Sequence, residues 1–319
     1  MATVAIVGAT GHTGRFAIDE LRARGLVVVA IGRDPAKLAN IPNVERRVAS
    51  LDALEPALAG VAAVVNCAGP FLDTANAVVT AAIRAGVHYL DVTAEQVCAR
   101  ATFDDHRDAA VTIVPAMAFY GGLADLLATA ASAAWTDVDA IEIAIALDRW
   151  WPTSGTRATG KRNTARRYAI ADATRAFVAE PPRRRTWHFS ARFGEREVVE
   201  LPFSEIETIS QHLRARAIDS WFDVAPLADL ADASTPPPPA HERSAQHFEL
   251  GVAVSRRGET RRASATGRDI YAISAAMVAE AAARIVDGRA RRRGALAPGE
   301  LFEPREFLRS LAGDLAVRV

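Results

Sequence analysis

The chain is poor in cysteine and has no excess of charge of either sign. Its 319 residues include two cysteines, Cys67 and Cys98, which are too few for a disulfide framework and favour a reducing compartment. The 38 basic residues balance the 38 acidic ones, which removes the global electrostatic case for binding nucleic acid or an anionic membrane. Only Lys37 and Lys161 are lysines, so nearly all of the positive charge is carried by arginine.

Long apolar runs and a basic leader are also missing. A membrane-spanning helix needs about 18 consecutive apolar residues, and no stretch of the chain offers them. The N-terminal residues lead straight into the apolar run Val4–Val7 without a positively charged segment, so no export signal is predicted. We therefore expect a cytoplasmic protein that does not associate with membranes.

The overall composition is that of a globular protein. Half of the residues are hydrophobic and 24% are charged, which excludes a disordered or collagen-like chain. A chain of this length exceeds what one hydrophobic core usually organises. The sequence thus predicts two domains, or one domain that carries an inserted lobe.

The first third alternates short apolar runs with amphipathic stretches that end at glycine. This pattern is typical of βαβ units and predicts an α/β protein with a doubly wound parallel sheet. The strands are expected at residues 3–7, 26–31, 44–48, 62–66, 88–92 and 111–114. From about residue 136 the pattern changes to antiparallel strand signals, with a predicted helix at 160–177, and helical periodicity returns at 269–285.

A glycine motif joins the first predicted strand to the first predicted helix. It reads Gly8-Ala9-Thr10-Gly11-His12-Thr13-Gly14. In such a turn Gly8 permits the tight bend, Gly11 lets the backbone approach a diphosphate, and Gly14 lets helix and strand pack closely. The free amides of the helix N-terminus then face the phosphates. The motif predicts a dinucleotide site.

The end of the second strand indicates which dinucleotide binds. An acidic residue there would favour NAD, whereas the 2′-phosphate of NADP needs cations. Arg33 and Lys37 can contact that phosphate, while Asp34 is explained as the N-cap before Pro35. We therefore predict NADP as the cofactor. The alternative is that both cations are solvated surface residues.

Two further turns are expected at the cofactor. The turn after the third strand contains Ser50 and Asp52, which are predicted to lie near the adenine. The turn after the fourth strand brings small residues to the place where the nicotinamide ribose is expected: Cys67, Ala68, Gly69, Pro70 and Phe71. Cys67 is interpreted as a packing residue, because no basic residue lies near it in the sequence to activate a thiolate.

Several segments together resemble the saccharopine dehydrogenase-like reductases, including the trans-acting enoyl reductases. The segments are VAIVGATGHTGR at the start, VVNCAGPF, AGVHYLDVTAE, VPAMAFYGGLADLLA, PTSGT, ATGRDIYAISAAMVAEAA and LAPGELFEPREFL. The resemblance implies an NADP-binding Rossmann domain of residues 1–135 and 266–319 and an inserted substrate and dimerisation lobe of residues 136–265. It also implies a homodimer formed through the sheet of that lobe.

The chain departs from the family at two informative positions. His12 replaces the usual tyrosine of the glycine turn, and Ala118-Phe119-Tyr120 stands where such proteins often read Gly-Phe-Asp. The second change falls beside the expected nicotinamide, so the catalytic group has to be found among this chain's own residues.

Tyr120 is the first candidate for a catalytic proton donor, because it follows a strand end and carries a hydroxyl. Its alternative role is packing at the mouth of the lobe. His88 and Tyr89 are expected to form interior hydrogen bonds, and two carboxylates and four cations are further candidates for the cleft: Asp91, Glu95, Lys161, Arg162, Arg166 and Arg167. No metal-binding pattern of histidine and cysteine is seen, and no metal is predicted.

The predicted function is reduction of a C=N or conjugated C=C bond of a small polar metabolite by hydride transfer from NADPH. The alternative is a non-catalytic NADP(H)-binding redox sensor that uses the same fold. A substrate-sized cleft over the nicotinamide distinguishes the two, because a reductase needs such a cleft and a sensor does not.

Overall fold

The computed structural model describes residues 1–240 and 242–319. In these ranges the strands are β1 (Thr3–Val7), β2 (Val27–Gly32), β3 (Glu45–Val48), β4 (Ala63–Asn66), β5 (His88–Asp91), β6 (Thr112–Val114), β7 (Asp137–Leu147), β8 (Tyr168–Ala171), β9 (Thr174–Phe177), β10 (Arg184–His188), β11 (Glu195–Glu200), β12 (Arg214–Asp223), β13 (His247–Arg256), β14 (Glu259–Arg268), β15 (Gly294–Ala295) and β16 (Leu315–Arg318).

The helices follow the same numbering along the chain. They are α1 (His12–Ala23), α2 (Pro35–Ala39), α3 (Leu54–Ala57), α4 (Phe71–Ala85), α5 (Gln96–His106), α6 (Ala124–Ser132), α7 (Ser154–Arg162), α8 (Glu205–Ser210), α9 (Ala225–Ala231), α10 (Ile270–Val286), α11 (Pro298–Leu301) and α12 (Pro304–Ser310). In addition, Leu51–Ala53 forms a 3₁₀ turn and Phe119–Leu123 a π-helical turn.

The first sheet is parallel throughout and has the strand order β15-β6-β5-β4-β1-β2-β3. The order reverses between β1 and β4, which is the switch point where Rossmann sheets bind dinucleotides. The α/β doubly wound fold and the six N-terminal strands predicted from the sequence are confirmed. Each of these strands lies within one residue of its expected position, because buried β-branched runs bounded by glycine leave little freedom of register.

Helices cover both faces of this sheet. Val4 and Ile6 on β1 belong to the core that includes α1 and α10, while Ala5 and Val7 belong to the core that includes α3, α4 and Phe103. Neighbouring residues of one strand are therefore buried on opposite faces, as expected when a parallel sheet lies between two helical layers.

The second sheet carries the order β10-β11-β12-β7-β13-β14-β16, and the hairpin β8–β9 joins it through β12. β12 and β7 are parallel, and the other pairings in this sheet are antiparallel. Its residues Ile143, Phe222 and Leu250 belong to the same core cluster as Val4 and Ile6 of the first sheet. The two sheets therefore share one continuous apolar core.

The helix predicted at 160–177 is wrong. α7 ends at Arg162, and the chain then forms the hairpin β8–β9. Asp172 and Ala173 make the turn of this hairpin with positive φ angles of 47° and 61°, a conformation incompatible with a continuing helix. The charged run between Lys161 and Arg167 led to the helix prediction, because arginine and lysine favour helices in isolation.

The last strand belongs to the second sheet. β16 pairs with β14 between Ser264 and Arg318, so the residues at its end lie in the lobe rather than beside the parallel sheet. We propose keeping the predicted two-part division of the chain, with 315–319 moved to the inserted lobe.

The chain returns from the lobe to the first sheet at Asp269. This residue follows β14 and caps α10, because one carboxylate oxygen accepts from the amides of Tyr271 and Ala272 and the other from Ser244 at 2.7 Å. α10 then packs along α1. The capped start of α10 is thereby held at the junction between the two sheets. In the described part of the chain, none of the helices is long and apolar enough to cross a membrane.

A buried ion pair fixes the C-terminal helices to α6. The Nε2 atom of His212 lies 2.6 Å from one carboxylate oxygen of Asp125, and the amide of Gly299 donates to the other oxygen at 2.8 Å. Burial lowers the pKa of His212, but the charge and hydrogen bond of Asp125 outweigh it and leave this pKa above its ordinary value.

We predict that His212→Gln destabilises the protein by about 3 kcal/mol near pH 6, since the variant leaves the buried Asp125 carboxylate without its cation. The pKa of His212 is higher in the folded than in the unfolded protein, so the ion pair adds to the free energy of unfolding. This contribution is complete below the pKa of histidine in the unfolded chain, about 6.5, and is lost as pH rises through the pKa in the folded protein. The deficit against the wild type should therefore shrink between pH 6 and pH 9 in urea denaturation. His188→Gln is the control, because that imidazole and its partner Glu195 are exposed. A deficit independent of pH would contradict a charged His212.

Candidate active site

The glycine turn after β1 has no room for side chains at two positions. A Cβ on Gly8 would lie 2.7 Å from the backbone nitrogen of Ala68, and φ at Gly8 is +81°. A Cβ on Gly14 would lie 2.4 Å from the carbonyl oxygen of Gly8. Both approaches are backbone to backbone, so neither can relax by moving a side chain. The tight bend predicted at Gly8 and the close packing predicted at Gly14 are both present.

The same turn leaves the N-terminus of α1 without a side-chain cap. Gly11 stands at the N-cap, and its amide donates back to the carbonyl of Gly8 at 3.0 Å. Helix N-termini carry amides with no partner inside the helix and the positive end of the dipole. Since no local side chain satisfies them at Gly11, the turn fits a bound diphosphate.

The end of β2 presents two cations. Asp34 caps α2, because its Oδ1 atom accepts from the amides of Ala36 at 2.9 Å and Lys37 at 3.2 Å, as predicted. Lys37 is exposed and lies 3.9 Å from the Oδ2 atom of Asp34. Arg33 is also exposed, and it forms no hydrogen bond or ion pair with any described residue. The carboxylate is thus engaged, and Arg33 is available to a ligand.

The four turns predicted to hold the cofactor follow β1, β2, β3 and β4, so all of them lie at the carboxyl edge of the parallel sheet. Ser50 and Asp52 are exposed in the turn after β3. In the turn after β4, Asn66 is fully buried, and its side-chain oxygen accepts from the amide of Ala68 at 3.0 Å. The Gly69–Pro70 peptide in this turn is cis.

Glu95 holds the start of α4, a role not predicted from the sequence. Its carboxylate accepts from the amides of Phe71 at 3.0 Å and Leu72 at 3.2 Å, and the Cys98 thiol donates to it at 3.3 Å. A glutamate 23 residues away in sequence gives no local capping signal. Its proximity appears only when β4 and β5 are paired.

The interior hydrogen bonds expected of His88 and Tyr89 are present. The Nδ1 atom of His88 accepts from the amide of Thr112 at 3.0 Å, and the Tyr89 hydroxyl donates to Asp91 at 2.8 Å. Asp91 also accepts from Thr93 and Ala116, and its burial raises its pKa to about 6. These side chains tie β5 to β6.

The half-buried Cys67 lies beside this cluster. Burial, with the charge of Asp91, raises the pKa of Cys67 to about 12. The neutral thiol dominates at physiological pH, and the thiolate is the nucleophilic form. Cys67 therefore packs in the turn, in agreement with the sequence interpretation.

A cavity of about 230 Å³ opens beside these turns, between the first sheet and the lobe. Both parts of the chain contribute to its wall. The lining includes Thr13, Cys67, Gly69 and Phe71 from the turns, Thr153 and Thr156 near the start of α7, and Tyr271 on α10. It also includes Glu95, Phe119, Tyr120, Trp150, Arg167 and Phe203.

Tyr120 lies in this wall. Its ring stacks on Phe203 with centroids 4.2 Å apart, and its buried hydroxyl oxygen has no partner among the described residues. Burial, with the nearby Tyr271 and Glu205, holds the pKa of Tyr120 well above its ordinary value. The hydroxyl is therefore protonated at neutral pH and can donate a hydrogen bond.

Tyr271 connects the lobe to α10, which the sequence did not reveal. Its hydroxyl oxygen accepts from the Nε1 atom of Trp150 at 3.1 Å and from the amide of Thr153 at 3.3 Å, and it lies 2.9 Å from the Oγ1 atom of Thr156. These bonds span more than a hundred residues of sequence. They hold the start of α7 across the cavity.

The four cations near α7 divide into two groups. Lys161, Arg162 and Arg166 are exposed, and Arg162 pairs with Asp73 at 2.9 Å. Arg167 lies beyond the end of the helix, and its side chain lines the cavity. A charge run at helical spacing predicts solvated residues. Arg167 differs from its neighbours because it lies outside α7, in the segment that leads into β8.

The N-terminal region matches a known family. Residues 4–117 fit the family model described as the saccharopine dehydrogenase NADP binding domain. This N-terminal region is therefore similar to an NADP-binding domain of that family. This confirms the resemblance and the cofactor predicted from the sequence.

The whole chain has the fold of a solved saccharopine dehydrogenase. It aligns with the apo, histidine-tagged, L-Glu-forming enzyme from Saccharomyces cerevisiae with a TM-score of 0.71 over 100% of this chain and 99% of that one. The identity is 13%, so this likeness concerns the fold.

Other solved structures match less of the chain. A yeast methylglyoxal/isovaleraldehyde reductase in complex with NADPH aligns at 16% identity over 35% of this chain and 53% of its own, with a TM-score of 0.30. A protein from Burkholderia pseudomallei described as a putative exported protein aligns at 26% identity over 40% and 50%, with a TM-score of 0.25. None of the curated protein sequences compared with the chain matches it.

Within residues 1–240 and 242–319, no group of three or more histidine, cysteine, aspartate or glutamate side chains is arranged to hold a metal ion.

We predict that Gly14→Ala abolishes binding of NADPH and NADH alike, because the new Cβ must displace the carbonyl of Gly8 and with it the turn. Calorimetric titration measures both affinities. Gly251→Ala is the matched control, since a Cβ there meets nothing within 4 Å. Wild-type affinity in Gly14→Ala would show that the turn does not position the cofactor.

Proposed function

We propose that the protein is an NADP-dependent oxidoreductase that reduces a C=N or conjugated C=C bond of a small polar metabolite. The observation that carries this proposal is the position of the cavity. Thr13 of the glycine turn, the Cys67–Gly69 turn and Tyr120 all line it, so it lies at the carboxyl edge of the sheet where the reactive ring of a dinucleotide is expected. A redox sensor needs no such cavity, so its position favours catalysis over the sensor alternative.

The residues of the four turns fit NADP. Gly8, Gly11 and Gly14 bring the amides of α1 to the diphosphate, and Arg33 with Lys37 takes the 2′-phosphate. The remaining contacts are assigned to residues of the same turns: Thr10, His12, Thr13, Ser50, Asp52, Cys67, Ala68, Gly69, Pro70 and Phe71. The exposed, unengaged guanidinium of Arg33 supports this assignment.

Bound NADPH supplies a hydride to an electrophilic carbon. The atom doubly bonded to that carbon, nitrogen or carbon, then takes a proton, so that the product gains one hydride and one proton and the double bond becomes single. Tyr120 is the proposed catalytic residue, because it lines the cavity and its protonated hydroxyl has no partner among the described residues. The stack on Phe203 fixes the ring and thus the direction of donation. The homodimer and the cytoplasmic location stay predictions.

Replacing Arg33 and Lys37 by alanine should weaken NADPH binding by about tenfold or more and leave NADH binding nearly unchanged. The reason is that charge-assisted hydrogen bonds to a phosphate contribute about 1.5–3 kcal/mol, and NADH lacks the 2′-phosphate. Titration calorimetry gives both constants. The double variant Arg22→Ala and Arg84→Ala removes two exposed cations elsewhere and serves as control. Equal losses for the two cofactors would overturn the phosphate assignment.

The test of the reaction is a screen of imine, enoyl and carbonyl compounds by loss of NADPH absorbance. On any compound that is reduced, Tyr120→Phe should lower kcat by roughly a hundredfold, because a positioned general acid contributes that order. NADPH affinity should stay at the wild-type value. Tyr168→Phe is the control, since its hydroxyl is engaged by Glu207 away from the cavity wall. Unchanged turnover in Tyr120→Phe would exclude its hydroxyl as the proton donor.

A further inference from the structure

Arg167 is a partly buried cation with unused hydrogen-bonding capacity. Its guanidinium carries five N–H groups, and one of its nitrogens donates to the carbonyl of Pro202. It forms no ion pair with any carboxylate of the described residues; Glu205 and Glu95 attract it only over longer distances. Burying a cation is costly unless a counter-ion meets it. The Arg167 side chain contributes to the lining of the cavity.

An aromatic ring packs against the guanidinium. The central carbon of Arg167 lies 4.4 Å from the ring centroid of Phe203, the same ring that stacks on Tyr120 at 4.2 Å. A planar guanidinium can bind a carboxylate through two parallel hydrogen bonds. Arg167 and Tyr120 therefore both contact the Phe203 ring in the wall of the cavity.

The other charged side chain in the wall is already engaged. Glu95 accepts from two amides at the start of α4 and from the Cys98 thiol. Three of its four acceptor positions are thereby occupied, so at most one is left for a ligand's ammonium group. The hydroxyl of Tyr271 is engaged as well, by Trp150, Thr153 and Thr156. Among the charged side chains of the described lining, Arg167 therefore has the most hydrogen-bonding capacity left for a ligand.

Aromatic side chains supply part of the apolar wall of the cavity. Six ring-bearing side chains line the cavity: Phe71, Phe119, Tyr120, Trp150, Phe203 and Tyr271. Flat aromatic surfaces favour a flat, apolar ligand body, because they bury its area without leaving polar groups unpaired.

We propose that the substrate of the proposed reaction is a planar, unsaturated monocarboxylate whose single carboxylate is bound by Arg167. The inference rests on the proposed function and makes it more specific: the ligand has an apolar body, one anionic group and no ammonium group. A dicarboxylate or an amino acid leaves a charge unpaired in this cavity. Arg167 is accordingly a specificity-determining residue for the reaction.

The experiment measures binding, so that no turnover is needed. The protein saturated with NADP⁺ is titrated calorimetrically with trans-cinnamate and with sorbate, an aromatic and an aliphatic planar monocarboxylate. Trans-cinnamamide, fumarate and L-phenylalanine are titrated in parallel; they lack the charge, add a second carboxylate or add an ammonium group. At least one of the two monocarboxylates should bind, and it should bind at least tenfold more tightly than these three compounds.

Arg167→Gln should weaken monocarboxylate binding by tenfold or more while leaving NADP⁺ affinity unchanged. Arg167→Lys keeps the positive charge but lacks the planar guanidinium. Its monocarboxylate affinity should lie between those of the wild type and Arg167→Gln. Arg166→Gln is the matched control, because this neighbouring arginine is exposed and contacts Glu180 and the ring of Phe177. Circular dichroism verifies folding, and if Arg167→Gln does not fold, the ranking of the five ligands on the wild type decides.

Two failures are distinguishable. If NADP⁺ binds but neither monocarboxylate does, or if Arg167→Gln binds them as the wild type does, the substrate class is wrong and the proposed reductase is unaffected. If NADP⁺ itself does not bind, the proposed function fails.

Discussion

The site depends on a backbone contact between two neighbouring parallel strands. The glycine that follows β1 lies against the backbone of the turn that follows β4, with no space for a Cβ between them. This contact sets how closely the two strand ends approach and where α1 begins. The diphosphate turn and the small-residue turn after β4 therefore open toward the same volume, which is the precondition for a cofactor to lie beside a substrate cavity.

The second requirement is that distant parts of the chain close this volume. α10 follows the lobe and begins at its N-cap Asp269. It packs along α1, and its Tyr271 bonds to Trp150, Thr153 and Thr156. The apolar core runs without interruption from β1 to the second sheet. The cavity is thus bounded by two sheets that share one core, which gives its walls fixed positions relative to the cofactor turns.

Local signals in the sequence were sufficient to predict the turns that are assigned to the cofactor. Glycine spacing, buried strand runs and the Asp34-Pro35 cap each act within a few residues, and the turns formed as predicted. The Tyr271 bonds, the Glu95 cap on α4 and the inward position of Arg167 depend on partners from 23 to 121 residues away, or on a turn concealed in a charged run. No local pattern encodes such contacts, so the cavity itself could not be derived. Tyr120 became a candidate only because it follows a strand end.

The scarcity of lysine has a practical consequence. Lys37 lies in α2, among the turns assigned to the cofactor, and Lys161 lies in α7, next to Gly160 of the cavity wall. Reagents that couple to side-chain amines would therefore modify the protein close to the proposed ligand-binding region. Immobilisation for affinity measurements is therefore better directed at another chemistry, since amine coupling would obstruct the sites under study.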